Sequence, residues 1–194
     1  MKMVKLEKLF MNTVSHKKHV IKRACRLIDL IPVNENQHFL EVGCGTGAVS
    51  LHCAKTYPFT VTGVDVDPEQ IEMAQSYATG ADVEFLEGDA THLPFEDETF
   101  DIVLSFGVMH HIPNWPDALQ EILRVLKSNS YFIYWDIMYP GLLAKIGKSF
   151  THNYGVTTLD VFNQFVKENN LSEIHTSVEK SFGFHQLEAV LQKS

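Results

Sequence analysis

Three closely spaced glycines mark the stretch of the sequence best suited to hold a small ligand. Gly43, Gly45 and Gly47 follow a strand-like run and precede a helical pattern. Glycine lets the backbone turn sharply and lets a ligand approach main-chain atoms closely. Glu41 lies two residues before the first glycine, and Cys44 is a small residue that fits within the turn. Because a tight turn alone does not require an acid at this position, we predict that the turn forms part of a binding site.

Two acidic residues in the next strand-like run offer a second ligand contact. Asp65 lies about 20 residues after the glycines, where a carboxylate can accept both ribose hydroxyl groups of an adenosine. Asp67 stands directly before Pro68, which is the arrangement of a residue that caps a helix N-terminus. We therefore predict that Asp65 and the adjacent Val66 bind a nucleoside, and that Asp67 caps the following helix.

Helical and strand patterns alternate along the chain, which predicts an α/β fold with a mostly parallel sheet. The predicted strands are 38–42, 60–66, 83–87, 100–106 and 131–137. The predicted helices are 17–31, 48–57, one that begins at Pro68, one with the apolar stripe Leu119, Ile122, Leu123 and Leu126, and 159–166. The stretches 174–179 and 184–191 follow each other without an intervening helix, so we predict an antiparallel hairpin at the edge of the sheet.

The length and composition fit one globular domain of 194 residues. The net charge of −8 argues against nucleic acid as the main partner, because phosphate binding needs concentrated basic surface. The three cysteines include no Cys-x-x-Cys pair, so we expect no disulfide framework or metal site and a cytoplasmic location. No stretch approaches the roughly 18 apolar residues of a membrane span.

Five stretches occur in an order that resembles the successive motifs of one enzyme family. They are Glu-Val-Gly-Cys-Gly-Thr-Gly (41–47), Val-Asp-Val-Asp-Pro (64–68), Glu-Gly-Asp-Ala (87–90), Leu-Pro-Phe-Glu-Asp-Glu-Thr-Phe-Asp (93–101) and Val-Met-His-His-Ile (108–112). The family is that of class I, Rossmann-like S-adenosylmethionine-dependent methyltransferases, and the likeness is to its small-molecule branch, which includes the ubiquinone/menaquinone-type enzymes. One departure is 127–130, Lys-Ser-Asn-Ser, where the family commonly has Lys-Pro-Gly-Gly; we expect a turn there with different geometry.

The resemblance implies a single domain with a seven-stranded sheet of order 3-2-1-4-5-7-6, the last strand antiparallel, and helices on both faces. By the same likeness the domain comprises an N-terminal helical lid segment (1–31), a cofactor-binding core (38–137), an insert (138–156) and a C-terminal helix and strand hairpin (157–194). The cofactor that the resemblance implies is S-adenosylmethionine. The glycine turn would face its methionine part, Asp65 would bind the ribose, Asp89 would accept the adenine amino group and Ser105 would lie near the sulfonium. The residues expected to bind the cofactor are Glu41, Gly43, Cys44, Gly45, Gly47, Asp65, Val66, Asp89, Ala90 and Ser105.

Other functions remain open at this point. Gly43, Gly45 and Ala48 also match the fingerprint G-x-G-x-x-G/A of dinucleotide-binding folds, so a nicotinamide-dependent oxidoreductase is one alternative. Glu41, the regular spacing of the glycines and the Asp89-Ala90 pair favour the methyltransferase instead. Within that fold, the acceptor could be a small molecule, a protein or an RNA, or the chain could be a non-catalytic cofactor-binding partner.

Methyl transfer from a sulfonium mainly requires alignment of the acceptor, and a base only if the acceptor must lose a proton. His110 and His111 are the candidates for that base, but the interpretation we favour is that His110 lines the cofactor pocket and that His111 packs or caps the loop. Acceptor contacts are expected from 1–31, which includes Lys18 and Arg23, and from 138–156, which includes Phe150 and Tyr154. A small-molecule acceptor is the leading hypothesis, and the sequence predicts no oligomeric state.

Overall fold

The computed structural model describes residues 13–140, 155, 157–181 and 184–194. The strands of this part are β1 (Gln37–Val42), β2 (Phe59–Asp65), β3 (Val83–Glu87), β4 (Phe100–Phe106), β5 (Leu126–Met138), β6 (Ser172–Ser181) and β7 (Phe184–Gln192). Its helices are α1 (Val14–Ile28), α2 (Ala48–Thr56), α3 (Pro68–Tyr77), α4 (Trp115–Val125) and α5 (Leu159–Glu168), and a 3-10 turn spans Met109–His111.

The seven strands form one sheet of order β3-β2-β1-β4-β5-β7-β6. Strands β1 to β5 pair in parallel, whereas β7 runs antiparallel to both β5 and β6. The predicted sheet order and the predicted closing hairpin are therefore confirmed. Parallel strands need crossover connections; α2, α3 and α4 lie in three of the four, whereas residues 88–99 connect β3 to β4 without a helix.

Helices pack on both faces of the sheet, as predicted. Adjacent residues of β5 show the division, because successive side chains of a strand point to opposite faces. Phe132 belongs to the core under α4 and α5, together with Leu119 and Phe162. Ile133 belongs to the core under α1 and α2, together with Leu27. All five of these side chains are almost completely buried.

Helix α1 is displaced from its predicted range of 17–31. It begins at Val14 because the Thr13 side chain accepts a hydrogen bond from the His16 backbone N–H and caps the first turn. It ends at Ile28, after which the chain tightens into bonds between residues three apart, such as Ile31 N–H to Ile28 O. Pro32 thus follows the end of the helix by several residues.

Strand β5 begins earlier than predicted, at Leu126. Its pairing with β4 shifts from Phe100↔Leu126 to Ile102↔Tyr131, so extra residues of β5 bulge at the expected turn. Asn129 adopts a positive φ of 61° within this bulge. The turn expected at 127–130 is thus built into a strand, and the Asn129 N–H bonds to the Lys193 carbonyl at 2.9 Å.

Parts of two predicted segments lie outside the described residues. They are residues 1–12 of the lid segment, and residues 141–154 and 156 of the insert, including Phe150 and Tyr154. Gly155 is described, and its backbone N–H donates to the His110 carbonyl at 3.0 Å. Among the described helices, none is long and apolar enough to cross a bilayer.

Candidate cofactor site

A cavity of about 420 Å³ lies at the carboxyl ends of β1, β2 and β4. Strand β1 lies between β2 and β4, so the sheet grows on one side of β1 through β2 and β3 and on the other side through β4 and β5. Open α/β sheets bind ligands at such a point, where the strand order reverses. The volume falls in the range of small-molecule sites, roughly 300–1,000 Å³. The cavity is lined by nine of the predicted binding or catalytic candidates: Glu41, Gly43, Cys44, Gly45, Asp65, Val66, Asp89, Ala90 and His111.

The glycine turn is tied to β2 by backbone hydrogen bonds. The N–H groups of Gly43 and Cys44 both donate to the Val64 carbonyl, at 2.7 and 3.0 Å. The Gly45 N–H donates to Asp65 Oδ2 at 2.8 Å. Two features that are 20 positions apart in the sequence thus form one unit at the cavity wall.

Two of the glycines serve the turn in different ways. Gly43 has a φ of 77°, and a Cβ there would lie 2.2 Å from Val108 Cγ2, so only glycine allows β1 to pass Val108. At Gly47 a Cβ would lie 2.4 Å from Phe85 Cζ. Gly47 does not line the cavity, and it permits the start of α2 to pack against β3.

Glu41 is a buried acid in the cavity wall. Its Oε2 accepts the Ser50 backbone N–H at 2.9 Å and also the Ser50 hydroxyl. Burial raises the pKa of Glu41 to about 7, and the two bonds from Ser50 oppose that rise. This carboxyl group is therefore close to half ionised near neutral pH and can pair with a protonated amine.

Asp65 and Asp67 divide the roles expected of them. Asp65 Oδ1 accepts the Asp67 backbone N–H at 2.9 Å, while Oδ2 accepts Gly45. Each carboxylate oxygen has a second lone pair, so Asp65 can still accept hydroxyl groups from the cavity that it lines. Asp67 Oδ1 accepts the Glu69 N–H at 3.2 Å, which confirms its role as the cap of α3.

Asp89 lies at the opposite end of the cavity, after β3. Its Oδ1 accepts both the Thr91 N–H at 2.9 Å and the Thr91 hydroxyl at 2.8 Å. The backbone bond from Thr91 lowers the pKa of Asp89. Asp89 is thus held as an ionised acceptor beside the buried Ala90.

Ser105 and His110 lie behind the cavity wall and not in it. Ser105 is fully buried and its hydroxyl has no hydrogen-bond partner among the described residues. Strand alternation turns Ser105 away, and the following residue, Phe106, lines the cavity instead. His110 Nδ1 lies 2.5 Å from Oδ1 of Asp136, which is fully buried. A hydrogen bond to this buried acid therefore holds the His110 ring in place.

His111 does line the cavity, and its ring centroid lies 3.9 Å from that of His110. Asp136 also accepts the Met109 backbone N–H at 2.7 Å. The 3-10 turn that carries both histidines is therefore fixed by a buried carboxylate. Asp136 was not predicted, because the sequence around an acid in an apolar strand does not indicate its hydrogen-bond partners.

Helix α1 forms another wall of the cavity through His16, Lys17 and Val20. Arg23 lies over the Trp135 ring, with its guanidinium carbon 4.6 Å from the ring centroid, and Trp135 lines the cavity. Arg26 bonds Glu188 of β7 at 2.6 Å. Of the basic residues in the predicted lid segment, Lys17 lines the cavity and Arg23 contacts Trp135 in the cavity wall. Lys18 is exposed and does not line the cavity.

Several lining residues were not expected from the sequence. They are Val42, Thr46, Ala48, Val49, Val64, Gln70, Gly88, Thr91, Phe106, Gly107, Val108, Ile112, Pro113, Asn114 and Trp135. Most of them directly adjoin a predicted contact. Position next to a motif was the signal that could have found them.

Comparison with known proteins identifies the domain. Residues 40–134 match the family model described as a methyltransferase domain. The fatty-acid O-methyltransferase of Mycolicibacterium smegmatis is 40% identical over 103 residues, which cover 53% of this chain and 38% of that protein. A probable phthiotriol/phenolphthiotriol dimycocerosates methyltransferase of Mycobacterium ulcerans is 40% identical over 99 residues, which cover 50% and 38%. The matches thus span well under half the length of these relatives.

Among solved structures, the [4+2]-cyclase SpnF superposes with a TM-score of 0.76. Its sequence identity is 16%, with 89% of this chain and 80% of that chain covered. At this identity the likeness concerns the fold alone. The match covers more of the chain than the family model does.

The described residues fit S-adenosylmethionine better than a dinucleotide. This cofactor carries an ammonium group, a sulfonium and an adenine amino group, and the cavity presents Glu41, Asp65 and Asp89 to such groups. A diphosphate at the glycine turn would meet the carboxyl groups of Glu41 and Asp65 instead. The family match decides between the two interpretations of the glycine turn in the same direction. Residues 40–134 therefore match a methyltransferase domain, and the sheet that contains them has the Rossmann-like strand order described above.

Proposed function

We propose that this chain transfers the methyl group of S-adenosylmethionine to a small acceptor with a largely apolar body. The observation that carries the proposal is the composition of the cavity at its β4 end, where the lining is apolar or aromatic apart from His111 and Asn114. The lining residues there are Phe106, Gly107, Val108, His111, Ile112, Pro113, Asn114 and Trp135. The two relatives described above, a fatty-acid O-methyltransferase and a probable phthiotriol/phenolphthiotriol dimycocerosates methyltransferase, support the same class of acceptor.

The carboxylates would hold the cofactor along the ends of the strands. Glu41 would pair with the ammonium group, Asp65 would accept the ribose hydroxyls and Asp89 would accept the adenine amino group. The bound cofactor supplies a methyl group on a sulfonium, so that the S–C bond breaks with its electron pair on sulfur as the acceptor atom bonds to carbon. The protein contributes alignment of the acceptor and exclusion of water.

His111 is the base that this arrangement offers if the acceptor must lose a proton. His111 lines the cavity, whereas His110 is hydrogen-bonded to Asp136 and helps to fix the 3-10 turn. A carboxylate acceptor is already deprotonated at neutral pH and would not need the base. A hydroxyl acceptor would need it, which makes the dependence on His111 a test of acceptor chemistry.

The test is transfer of a radiolabelled methyl group to a panel of fatty acids, long-chain alcohols and hydroxylated aromatic compounds. Labelled product with an apolar member, absent with Asp65→Ala, would support the proposal. Cofactor binding without any labelled small molecule, but with labelled protein or RNA from a cell extract, would support a macromolecular acceptor instead. Binding without transfer to any of these would leave a non-catalytic cofactor-binding partner.

A further inference from the structure

Basic residues are concentrated at the start of the chain. Residues 1–28 contain eight of the 16 Lys and Arg residues but only one of the 24 Asp and Glu residues. The remainder of the chain is therefore strongly acidic, and the overall charge of −8 conceals this division. A charge asymmetry of this size is typical of a chain with a separate surface for an anionic partner.

The structure places five of these basic residues on α1, which contains no acid. Two of the five are committed to the protein, because Arg23 and Arg26 both approach Glu188. Lys18 and Lys22 lie four residues apart on one exposed side of the helix. Neither lines the cavity, and no described acid pairs with them, so their charges face outward.

Exposed apolar side chains lie beside this basic helix. Val14, in the first turn of α1, is 70% exposed, and Tyr77, at the end of α3, is 52% exposed. Lys17 joins the two helices, since its Nζ lies 5.5 Å from the centroid of the Tyr77 ring. Met73 lies one turn before Tyr77 on the same side of α3 and is also exposed. We call Val14, Lys18, Lys22, Met73 and Tyr77 the rim surface.

The rim surface adjoins the cavity. Lys17, which lies on α1 and contacts Tyr77 of α3, lines the cavity. Val20, one turn later on α1, also lines it. Val66 precedes α3 and is both part of the lining and 38% exposed. A ligand that met the protein at this surface would therefore be beside the cavity wall.

We propose that the rim surface docks on a negatively charged lipid bilayer and so presents the cavity to lipid-like acceptors. Lysines attract the anionic headgroups, and the apolar side chains between them enter the interfacial region. The apolar face of α1 packs in the core through Ala24, Leu27 and Ile28, so the helix adsorbs as part of the folded domain. The inference rests on the proposed function only for the acceptor, because docking itself needs no turnover.

The exposed apolar residues favour a bilayer over nucleic acid as the anionic partner. A phosphate backbone is bound by charge and hydrogen bonds, which Val14 and Met73 cannot provide. A bilayer interface uses both properties of the surface. The salt dependence of binding is common to the two partners, so the experiment has to separate them by other means.

The experiment is flotation of the full chain with phosphatidylcholine vesicles, with and without phosphatidylglycerol, at low and at raised salt. We expect binding only to the anionic vesicles. The variant Lys18→Glu/Lys22→Glu should reduce the partition coefficient by at least about 25-fold, because each basic residue near such a surface contributes about fivefold. The matched control, Lys167→Glu/Lys180→Glu, changes the net charge equally at exposed positions away from the rim surface and should bind as the wild type does.

A second variant tests the apolar component. Val14→Ser/Tyr77→Ser keeps every charge and should reduce vesicle binding severalfold. Equal losses in the two lysine variants would overturn the proposal in favour of general charge attraction. No binding of the wild-type chain to anionic vesicles, or tighter binding to single-stranded RNA that only the rim lysines support, would also overturn it.

The outcomes separate this inference from the proposed function. Vesicle binding without methyl transfer would leave the docking surface standing and remove the small-molecule activity. Methyl transfer to a dispersed acceptor without vesicle binding would do the reverse. Binding of S-adenosylhomocysteine, measured on each variant, shows that the folded cavity is intact.

Discussion

Replacement of Glu41 by Gln should change how the stability of the protein depends on pH. The Glu41 carboxyl group is buried, and burial raises its pKa from 4.5 to about 7. The unfolded chain ionises this group near its ordinary value. Gln has nearly the same shape, its carbonyl oxygen can accept both hydrogen bonds from Ser50, and it does not titrate.

The direction of this pH dependence follows from which state, folded or unfolded, binds the Glu41 proton more tightly. Between pH 4.5 and pH 7 the folded state keeps the Glu41 proton while the unfolded state loses it, so the free energy of unfolding falls as pH rises. Each pKa unit corresponds to about 1.4 kcal/mol, which makes the whole fall on the order of 3 kcal/mol. The stabilising contribution is complete below the unfolded pKa and is lost above pH 7.

The assay is urea denaturation of wild-type protein and Glu41→Gln at a series of pH values from 5 to 8. Groups common to both proteins cancel, so the difference in unfolding free energy isolates Glu41. We expect the unfolding free energy of the variant to rise relative to that of the wild type by about 2.5 kcal/mol between pH 5 and pH 8. Glu84→Gln, at an exposed position of β3, controls for loss of a carboxyl group as such. A difference that stays constant with pH, or that falls, would refute the reasoning.

Three further predictions concern the site and its support. Gly43→Ala should lower stability by about 3 kcal/mol, from left-handed backbone strain and the contact with Val108, and Val108→Ala should restore part of this in denaturation midpoints. His111→Gln should lower kcat for a hydroxyl acceptor by about 10²- to 10⁴-fold and remove its pH dependence in rate profiles. Tyr134→Phe should raise stability by about 1 kcal/mol in the same denaturation assay, because the buried Tyr134 hydroxyl has no hydrogen-bond partner among the described residues.

Much of the fold follows from local patterns in the sequence. The apolar run at Phe100–Phe106 marks a central parallel strand, and Asp67 with Pro68 marks the start of α3, as the structure confirms. The ends of α1 were wrong because they depend on single hydrogen bonds. Thr13 caps a helix that begins at Val14, three residues before the predicted start, and that cap has no effect on the apolar pattern.

The site residues could be predicted where the residue type alone indicates the chemistry. They could not be predicted where the direction of a side chain decides whether it reaches the cavity. Glycines and acids identified the turn and Asp65, which the structure joins through the Gly45 N–H. Ser105 lies in a strand that is apolar on both faces, so alternation gave no indication of its direction. His110 and His111 are adjacent in sequence, and only the buried Asp136 distinguishes them, by holding the first.

The most direct test of the account is calorimetric titration of the purified chain with S-adenosylhomocysteine and, separately, with NAD. The account predicts binding of S-adenosylhomocysteine alone, weakened by Asp65→Ala at least about 100-fold, since two charge-assisted hydrogen bonds are lost. Asp82→Ala, an exposed acid, should bind as the wild type does. Binding of NAD alone, or undiminished binding of S-adenosylhomocysteine by a folded Asp65→Ala variant, would contradict the assignment of the cavity.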